Sequence, residues 1–144
     1  MANLQVATLA GGCFWCIESA FNTVEGVVKA LSGYAGGEKN DPTYEEVCSG
    51  NTGHAEVVQV TFDADIISYR EILEIFFALH DPTQLNRQGN DIGTQYRSEV
   101  FYHDEAQKAE ALAIIDEIVN EEIWPNPVVT KVTEINNYYE AETY

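Results

Sequence analysis

Gly11-Gly12-Cys13-Phe14-Trp15-Cys16 is the stretch around which this chain is organised. Before it, Leu4 to Leu9 alternates in character and reads as a strand; after it, Ile17, Ala20, Phe21 and Val24 fall at i, i+3, i+4 and i+7, one stripe of a helix. The two glycines allow a sharp turn between these elements. Cys13 is therefore expected where a strand gives way to a helix, beside the first free backbone N–H groups and the positive end of the helix dipole. Such a location can lower a thiol pKa from about 8.5 by one to several units, and it suits a reactive sulfur.

Working outward, the chain reads as alternating strands and helices. Val27–Tyr34 is a strand closed by glycines, Tyr44–Gly53 a short helical or irregular connection, and Ala55–Phe62 the clearest strand. Ser68 with Glu71 forms a capping box that opens a helix running to Leu79, apolar on nearly every side and expected to be the central buried helix. His80 to Arg97 has no periodicity but keeps Pro82, Leu85, Ile92 and Tyr96, as an ordered functional loop does. Glu99–His103 returns to strand. Asp104 starts a long helix to about Ile123 with Ala109, Leu112, Ile115 and Val119 inward; Val128–Ile135 is a last strand, and Asn136–Tyr144 an aromatic, acidic tail. This interleaving predicts one two-layer α/β domain over residues 1–144.

The 144 residues carry a formal net charge of −17, which argues against nucleic acid as a partner because a polyanion is repelled. No run of about 18 apolar residues exists to span a membrane. The N-terminus lacks the pattern of a signal peptide, so a cytoplasmic setting is expected. Three cysteines without a secretion signal point to redox chemistry or metal rather than a disulfide framework.

Cys13 and Cys16 form a C-x-x-C pair at a helix start, which serves dithiol redox chemistry in some proteins and half a zinc site in others. Cys48 and His54 are available to complete a zinc set, and two buried small hydrophobes are the plain alternative. Phe14 and Trp15, at a solvent-facing tip, would form an apolar wall for a small methyl-bearing group. Alternation places Glu56 beside Val58 and Val60 on the inward face, where desolvation would raise a carboxyl pKa and keep the group able to donate a proton, an ordinary strand-end glutamate in solvent being the equal alternative. Tyr44, Asp91, Tyr96 and Arg97 are polar candidates that, taken singly, read more readily as structural, and His54 reads more readily as a solvated histidine than as a partner of the site.

Taken together, Gly-Gly-Cys-Phe-Trp, Tyr34-Ala35-Gly36-Gly37, Tyr44-Glu45-Glu46-Val47-Cys48, Thr52-Gly53-His54-Ala55-Glu56 and the run from Asp81 to Ser98 closely resemble the A-type peptide-methionine sulfoxide reductases, in order and over nearly the whole chain. The resemblance implies a two-layer sandwich around a central mixed sheet flanked by helices, of the ferredoxin-like plait type. It implies that Cys13 is the nucleophile, that Phe14 and Trp15 shape the methyl pocket, and that Glu56 protonates the sulfoxide oxygen. Tyr44 and Tyr96 would hydrogen-bond that oxygen and Asp91 would help hold substrate. The implied reaction reduces the S epimer of methionine sulfoxide, free or in proteins, and leaves a sulfenic acid on Cys13. The implied reductant is external, thioredoxin or another thiol, with no cofactor or metal, and a monomer is expected. Two departures matter. Many family members have glycine at the position of Cys16 and carry a resolving cysteine in a C-terminal tail, whereas this chain has no cysteine after Cys48; the usual family sequence also continues past the equivalent of Tyr144. Cys16 is therefore expected to resolve Cys13, with Cys48 the less favoured choice. A general dithiol–disulfide oxidoreductase and a zinc-stabilised module on Cys13, Cys16, Cys48 and His54 are the alternative functions.

Overall fold

The period-2 pattern of the clearest strand sets the architecture. In the computed structural model, which describes residues 3–50 and 52–141, this strand is β3 (Ala55–Asp63), and Glu56, Val58, Val60 and Phe62 are all buried. Each fully buried apolar side chain contributes roughly 1.5–3 kcal/mol, and a one-residue slip would turn Val58, Val60 and Phe62 to the opposite face together. That threefold penalty fixes the register, and the register carries Glu56 inward with them.

Around β3 the described residues order as β1 (Leu4–Ala10), α1 (Phe14–Phe21), β2 (Val27–Ala35), α2 (Tyr44–Cys48), β3 and α3 (Tyr69–Leu79). There follow a two-residue hairpin of β4 (Arg87–Gln88) and β5 (Asp91–Ile92), a 3-10 turn at Thr94–Tyr96, β6 (Glu99–Tyr102), α4 (Glu105–Asn120), β7 (Lys131–Glu134) and β8 (Tyr139–Glu140). The main sheet runs β7-β6-β1-β3-β2-β8; β6 and β7 are parallel and the other neighbours antiparallel, so the sheet is mixed. One face packs Ala7, Leu9, Val58, Val60 and Phe62 against Phe14, Ile17 and Phe21 of α1, Ile72, Leu73 and Phe76 of α3, and Ala111, Ile114 and Ile118 of α4. On the other, Ala10, Ala35, Ala55, Val57 and Phe101 form a smaller cluster with Ile135 and Tyr138. Part of the acidic tail thus becomes an edge strand on β2, while residues 142–144 lie outside the described residues.

Two expectations about helix faces are corrected. Helix α3 begins at its capping box, with Glu71 N donating to Ser68 Oγ at 3.1 Å and Ser68 N to Glu71 Oε1 at 3.2 Å. It is one-sided rather than buried all round, since Glu71, Glu74 and Leu79 face solvent. Helix α4 buries Gln107, Ala111, Ile114 and Ile118, leaving Ala109, Leu112 and Val119 exposed and only Ile115 partly covered. A hydrogen bond sets this phase: Gln107 Nε2 donates to the Val6 carbonyl at 2.8 Å, and its Oε1 accepts from His103 N at 2.9 Å. A strand carbonyl left without a partner is costly to bury, so a glutamine takes the inward place that an apolar count assigns elsewhere.

Candidate active site

Cys13 stands at the N-cap of α1 with extended backbone (φ −65°, ψ 116°), immediately after the Gly11–Gly12 turn. The next backbone amide, Phe14 N–H, donates to Glu56 Oε1 at 3.4 Å, which joins the helix start to the inward carboxyl of β3. Glu56 is only 1% exposed, and its other oxygen, Oε2, meets no hydrogen-bond partner among the described residues. Burial, opposed by the Phe14 amide and reinforced by the Asp91 charge, pushes its pKa up to about 7. A neutral carboxyl with a free oxygen is able to donate a proton.

The thiol itself behaves differently from the helix-terminus expectation. The amides of Trp15 and Cys16 act to lower the Cys13 pKa, but burial acts more strongly and raises it, with the Cys16 thiol adding in the same direction. The dipole argument counted only the favourable partial charges; the desolvation of a half-buried sulfur outweighs them. All three cysteines are free thiols, with Cys13 partly covered and Cys16 and Cys48 exposed.

Four aromatic rings surround this point. Phe14 is fully buried and is the floor, with ring centroids 5.7 Å from Tyr34, 6.1 Å from Tyr44 and 5.3 Å from Trp15. Trp15 is 45% exposed and stacks on Tyr44 at 5.4 Å, forming the wall. The pair expected at a solvent-facing tip therefore divides into one core ring and one open ring. Tyr44 opens α2, whose capping box joins Thr43 and Glu46 (Glu46 N to Thr43 Oγ1, 3.2 Å). A hydrogen bond with Cys48, burial and the Glu56 charge hold the Tyr44 phenol protonated. Tyr96, on the 3-10 turn, is raised by burial and by the charges of Glu56, Cys48 and Asp91, and its hydroxyl is hydrogen-bonded to Tyr44. Cys13, Glu56, Tyr44 and Tyr96 are thus brought together. Asp91 is exposed on β5 and acts on Glu56 and Tyr96 through its charge.

Other candidates fall outside the cup. Arg97 forms a largely buried ion pair with Glu99 (Nε to Oε1, 2.7 Å) and donates to the Thr94 carbonyl at 3.0 Å, bracing the turn that carries Tyr96. His54 is buried, not solvated: its Nδ1 accepts from Gly37 N at 3.0 Å and its Nε2 donates to the Lys39 carbonyl at 2.6 Å. With both ring nitrogens engaged, it is not free to join Cys13, Cys16 and Cys48 around zinc, and among the described residues no group of three or more His, Cys, Asp or Glu could hold a metal. No described helix is long and apolar enough to cross a membrane. A groove of about 380 Å³ between α3 and α4, lined by Phe77, Ile114, Ile118 and Trp124, contains none of the sulfur or carboxyl groups, so chemistry places the site at the aromatic cup instead. Sequence reasoning missed Tyr34 as a ring of the cup, although it stands in one of the quoted motifs.

Comparison with known proteins identifies the family and the fold. Residues 5–144 match the family described as peptide methionine sulfoxide reductase. The chain is 55% identical over 136 residues to the peptide methionine sulfoxide reductase MsrA of Natronomonas pharaonis, covering 94% of this chain and 76% of that one. It is 57% identical over 141 residues to that of Saccharolobus solfataricus, covering 98% and 78%. Among solved structures it resembles reduced Mxr1 of Saccharomyces cerevisiae (TM-score 0.91, 39% identity, 98% of this chain and 81% of that one). It also resembles methionine sulfoxide reductase A of Corynebacterium diphtheriae (0.93, 32%, 99% and 72%). Mxr1 in complex with Trx2 matches with a TM-score of 0.71 at 30% identity, over 96% of this chain and 81% of that one. With residues 5–144 matching the family model and relatives 55–57% identical over almost its whole length, the chain belongs to the peptide methionine sulfoxide reductase family.

Proposed function

We propose that this protein reduces methionine (S)-sulfoxide, free and in proteins, to methionine by thiol chemistry at Cys13. The observation that carries the reading is Glu56: buried, held through Oε1 by the amide of Phe14, the residue after Cys13, and with Oε2 unpartnered among the described residues. A sulfoxide sulfur is a poor electrophile until its oxygen is protonated. Glu56 supplies that proton while Tyr44 and Tyr96 hydrogen-bond the oxygen, and the apolar rings of Phe14 and Trp15 receive the methyl group. The Cys13 sulfur attacks as its proton passes to the carboxylate, restoring Glu56. The oxygen is transferred to Cys13 as a sulfenic acid, and the substrate leaves as the thioether, reduced by two electrons. The Cys16 thiol then attacks the Cys13 sulfur, water leaves, and a Cys13–Cys16 disulfide remains. An external dithiol restores both thiols; the Mxr1–Trx2 complex supports thioredoxin in that part.

Asp91 completes the set by holding substrate at the mouth. The wider reading is a single domain over 1–144, monomeric and cytoplasmic, with no resident cofactor and no membrane or nucleic-acid partner; the charge of −17 supports the last point. A ferredoxin-like plait at the centre is supported by the strand order β6-β1-β3-β2 with antiparallel neighbours. Mass spectrometry of cysteine pairing after one equivalent of free methionine (S)-sulfoxide tests the chemistry: released methionine with a Cys13–Cys16 disulfide is expected. No methionine release refutes the reading. Release with a Cys13–Cys48 bond refutes the Cys16 assignment, as does a Cys16→Ser variant that still turns over normally with thioredoxin.

A further inference from the structure

Gln88 stands outside the aromatic cup and carries no charge, yet three parts of the site meet on it. Its side-chain amide reads both backbone groups of one residue: Oε1 accepts from Asp81 N at 3.0 Å, and Nε2 donates to the Asp81 carbonyl. Its methylenes lie against Gly12, the residue before Cys13; a Cβ on Gly12 would stand 2.8 Å from Gln88 Cγ, in a backbone conformation (φ +96°) that L side chains rarely adopt. Across the β4–β5 hairpin, Gln88 is the direct register partner of Asp91. Gly11 rests on the other side of the same frame, where a Cβ would stand 2.9 Å from both the His80 ring and Phe76. His80 precedes Asp81, so the frame is continuous: His80 lies against Gly11, Gln88 against Gly12, and the two are tied through the Asp81 backbone.

The geometry points to Gln88 as a positioning residue, a clasp that holds the Gly11–Gly12 turn and the Asp91 hairpin at one fixed separation and so sets Cys13 opposite Asp91. Paired hydrogen bonds to one residue fix the side chain in place, while the hairpin's other bonds, Gly89 N to Gln84 Oε1 and Gly93 N to the Asn86 carbonyl, stay within its own loop. Nothing in Gln88 touches the reacting sulfur; its effect passes through Gly12 and Asp91.

Gln88→Met keeps the methylenes against Gly12 and loses both hydrogen bonds; Gln88→Ala loses the methylenes as well and serves where the first variant fails to fold, as judged by melting. A misplacement of about 1 Å can cost on the order of 10²-fold in rate, so a loss in kcat of about tenfold or more with little change in KM is expected. In an Asp91→Asn background the same substitution should lower kcat much less, since the group being positioned is gone. A loss that merely reflects a weakened fold would instead multiply with that of Asp91→Asn, and that result, or wild-type kcat in both Gln88 variants, overturns the proposal. The turnover arm rests on the reductase reading. A second arm does not: labelling of Cys13 by iodoacetamide without any sulfoxide, read on the Cys13 peptide, should quicken several-fold when the clasp is opened. Unchanged labelling overturns the clasp even where the parent protein shows no sulfoxide turnover.

Discussion

Burial displaces both Glu56 and His80 toward their neutral forms, but the two are built in opposite ways. Glu56, at the start of β3, has one oxygen on a long hydrogen bond to Phe14 N and the other on nothing. His80, at the end of α3, has every polar atom engaged: Nδ1 lies 2.8 Å from the Phe76 carbonyl and Nε2 lies 2.8 Å from Ser98 Oγ, which in turn lies 2.7 Å from Thr130 Oγ1. Because a carbonyl only accepts, Nδ1 carries the proton, Nε2 accepts from the Ser98 hydroxyl, and Ser98 accepts from Thr130. Burial accounts for both pKa displacements, Glu56 to about 7 and His80 to about 4. The difference lies in satisfaction. A buried polar atom left without a partner is destabilising; at Glu56 it stands where the proposed chemistry would use it, whereas the fully bonded His80 serves the architecture.

The sharpest way to break the comparison is Glu56→Gln. The amide keeps an acceptor for Phe14 N and a donor toward the sulfoxide oxygen but has no proton to transfer. Turnover should fall on the order of 10²–10⁴-fold, the usual range for a general acid, while the melting temperature stays level or rises. An unchanged single-turnover rate would remove Glu56 from the mechanism. His80→Leu should do the reverse. It takes the acceptor from the Ser98 hydroxyl, which keeps only Thr130, and the side-chain donor from the Phe76 carbonyl, costing about 1–3 kcal/mol in urea unfolding, with a smaller effect on turnover than Glu56→Gln. Greater loss of activity than of stability would make His80 part of the chemistry.

Glu56 was readable from the sequence because one rule decides its direction: the alternation of β3 places it with Val58 and Val60, and three apolar residues outvote one carboxylate. Cys13 was equally readable, since two glycines followed by a helical stripe define a strand-to-helix turn. His80 and Gln88 were not. Each is placed by pairing with residues distant in the chain, Ser98 in one case and Asp81 with Gly12 in the other, and no local period records such a partner. The phase of α4 was misread for the same reason, because Gln107 faces inward to serve the Val6 carbonyl. The direction of the Cys13 pKa depended on the balance of burial against backbone amides, and a motif states only the second of these.

Stability against pH separates the two groups by sign. The folded-state pKa of Glu56 lies above its ordinary value of 4.5, so the native protein holds a proton that the unfolded chain has released; between 4.5 and about 7, this group's contribution falls as pH rises. The folded-state pKa of His80 lies below its ordinary 6.5, so the unfolded chain binds a proton that the native protein refuses; between about 4 and 6.5, its contribution grows as pH rises. Urea midpoints across this range should lose the falling contribution in Glu56→Gln and the rising one in His80→Leu. Turnover should also decline as pH rises through about 7, and that limb should be missing from what activity Glu56→Gln retains. The same pH dependence in both variants would mean that neither group governs it.

The smallest expected effect tests the architectural half alone. Thr130 is the outermost link of the His80 chain and only partly buried. Thr130→Val keeps the shape and removes the hydroxyl that donates to Ser98, while Ser98 still donates to His80 Nε2. One hydrogen bond is lost and no ring nitrogen is orphaned, so the expected cost is about 0.5–1.5 kcal/mol, with turnover and the rising contribution of His80 both intact. Because Ser98 and the Gly11 contact both lie on the His80 ring, this variant asks whether disturbing the far end of the chain reaches the nucleophile. Were turnover to fall together with stability, the chain would be transmitting position to the Gly11–Gly12 turn, and His80 would have to be counted with Glu56 rather than against it.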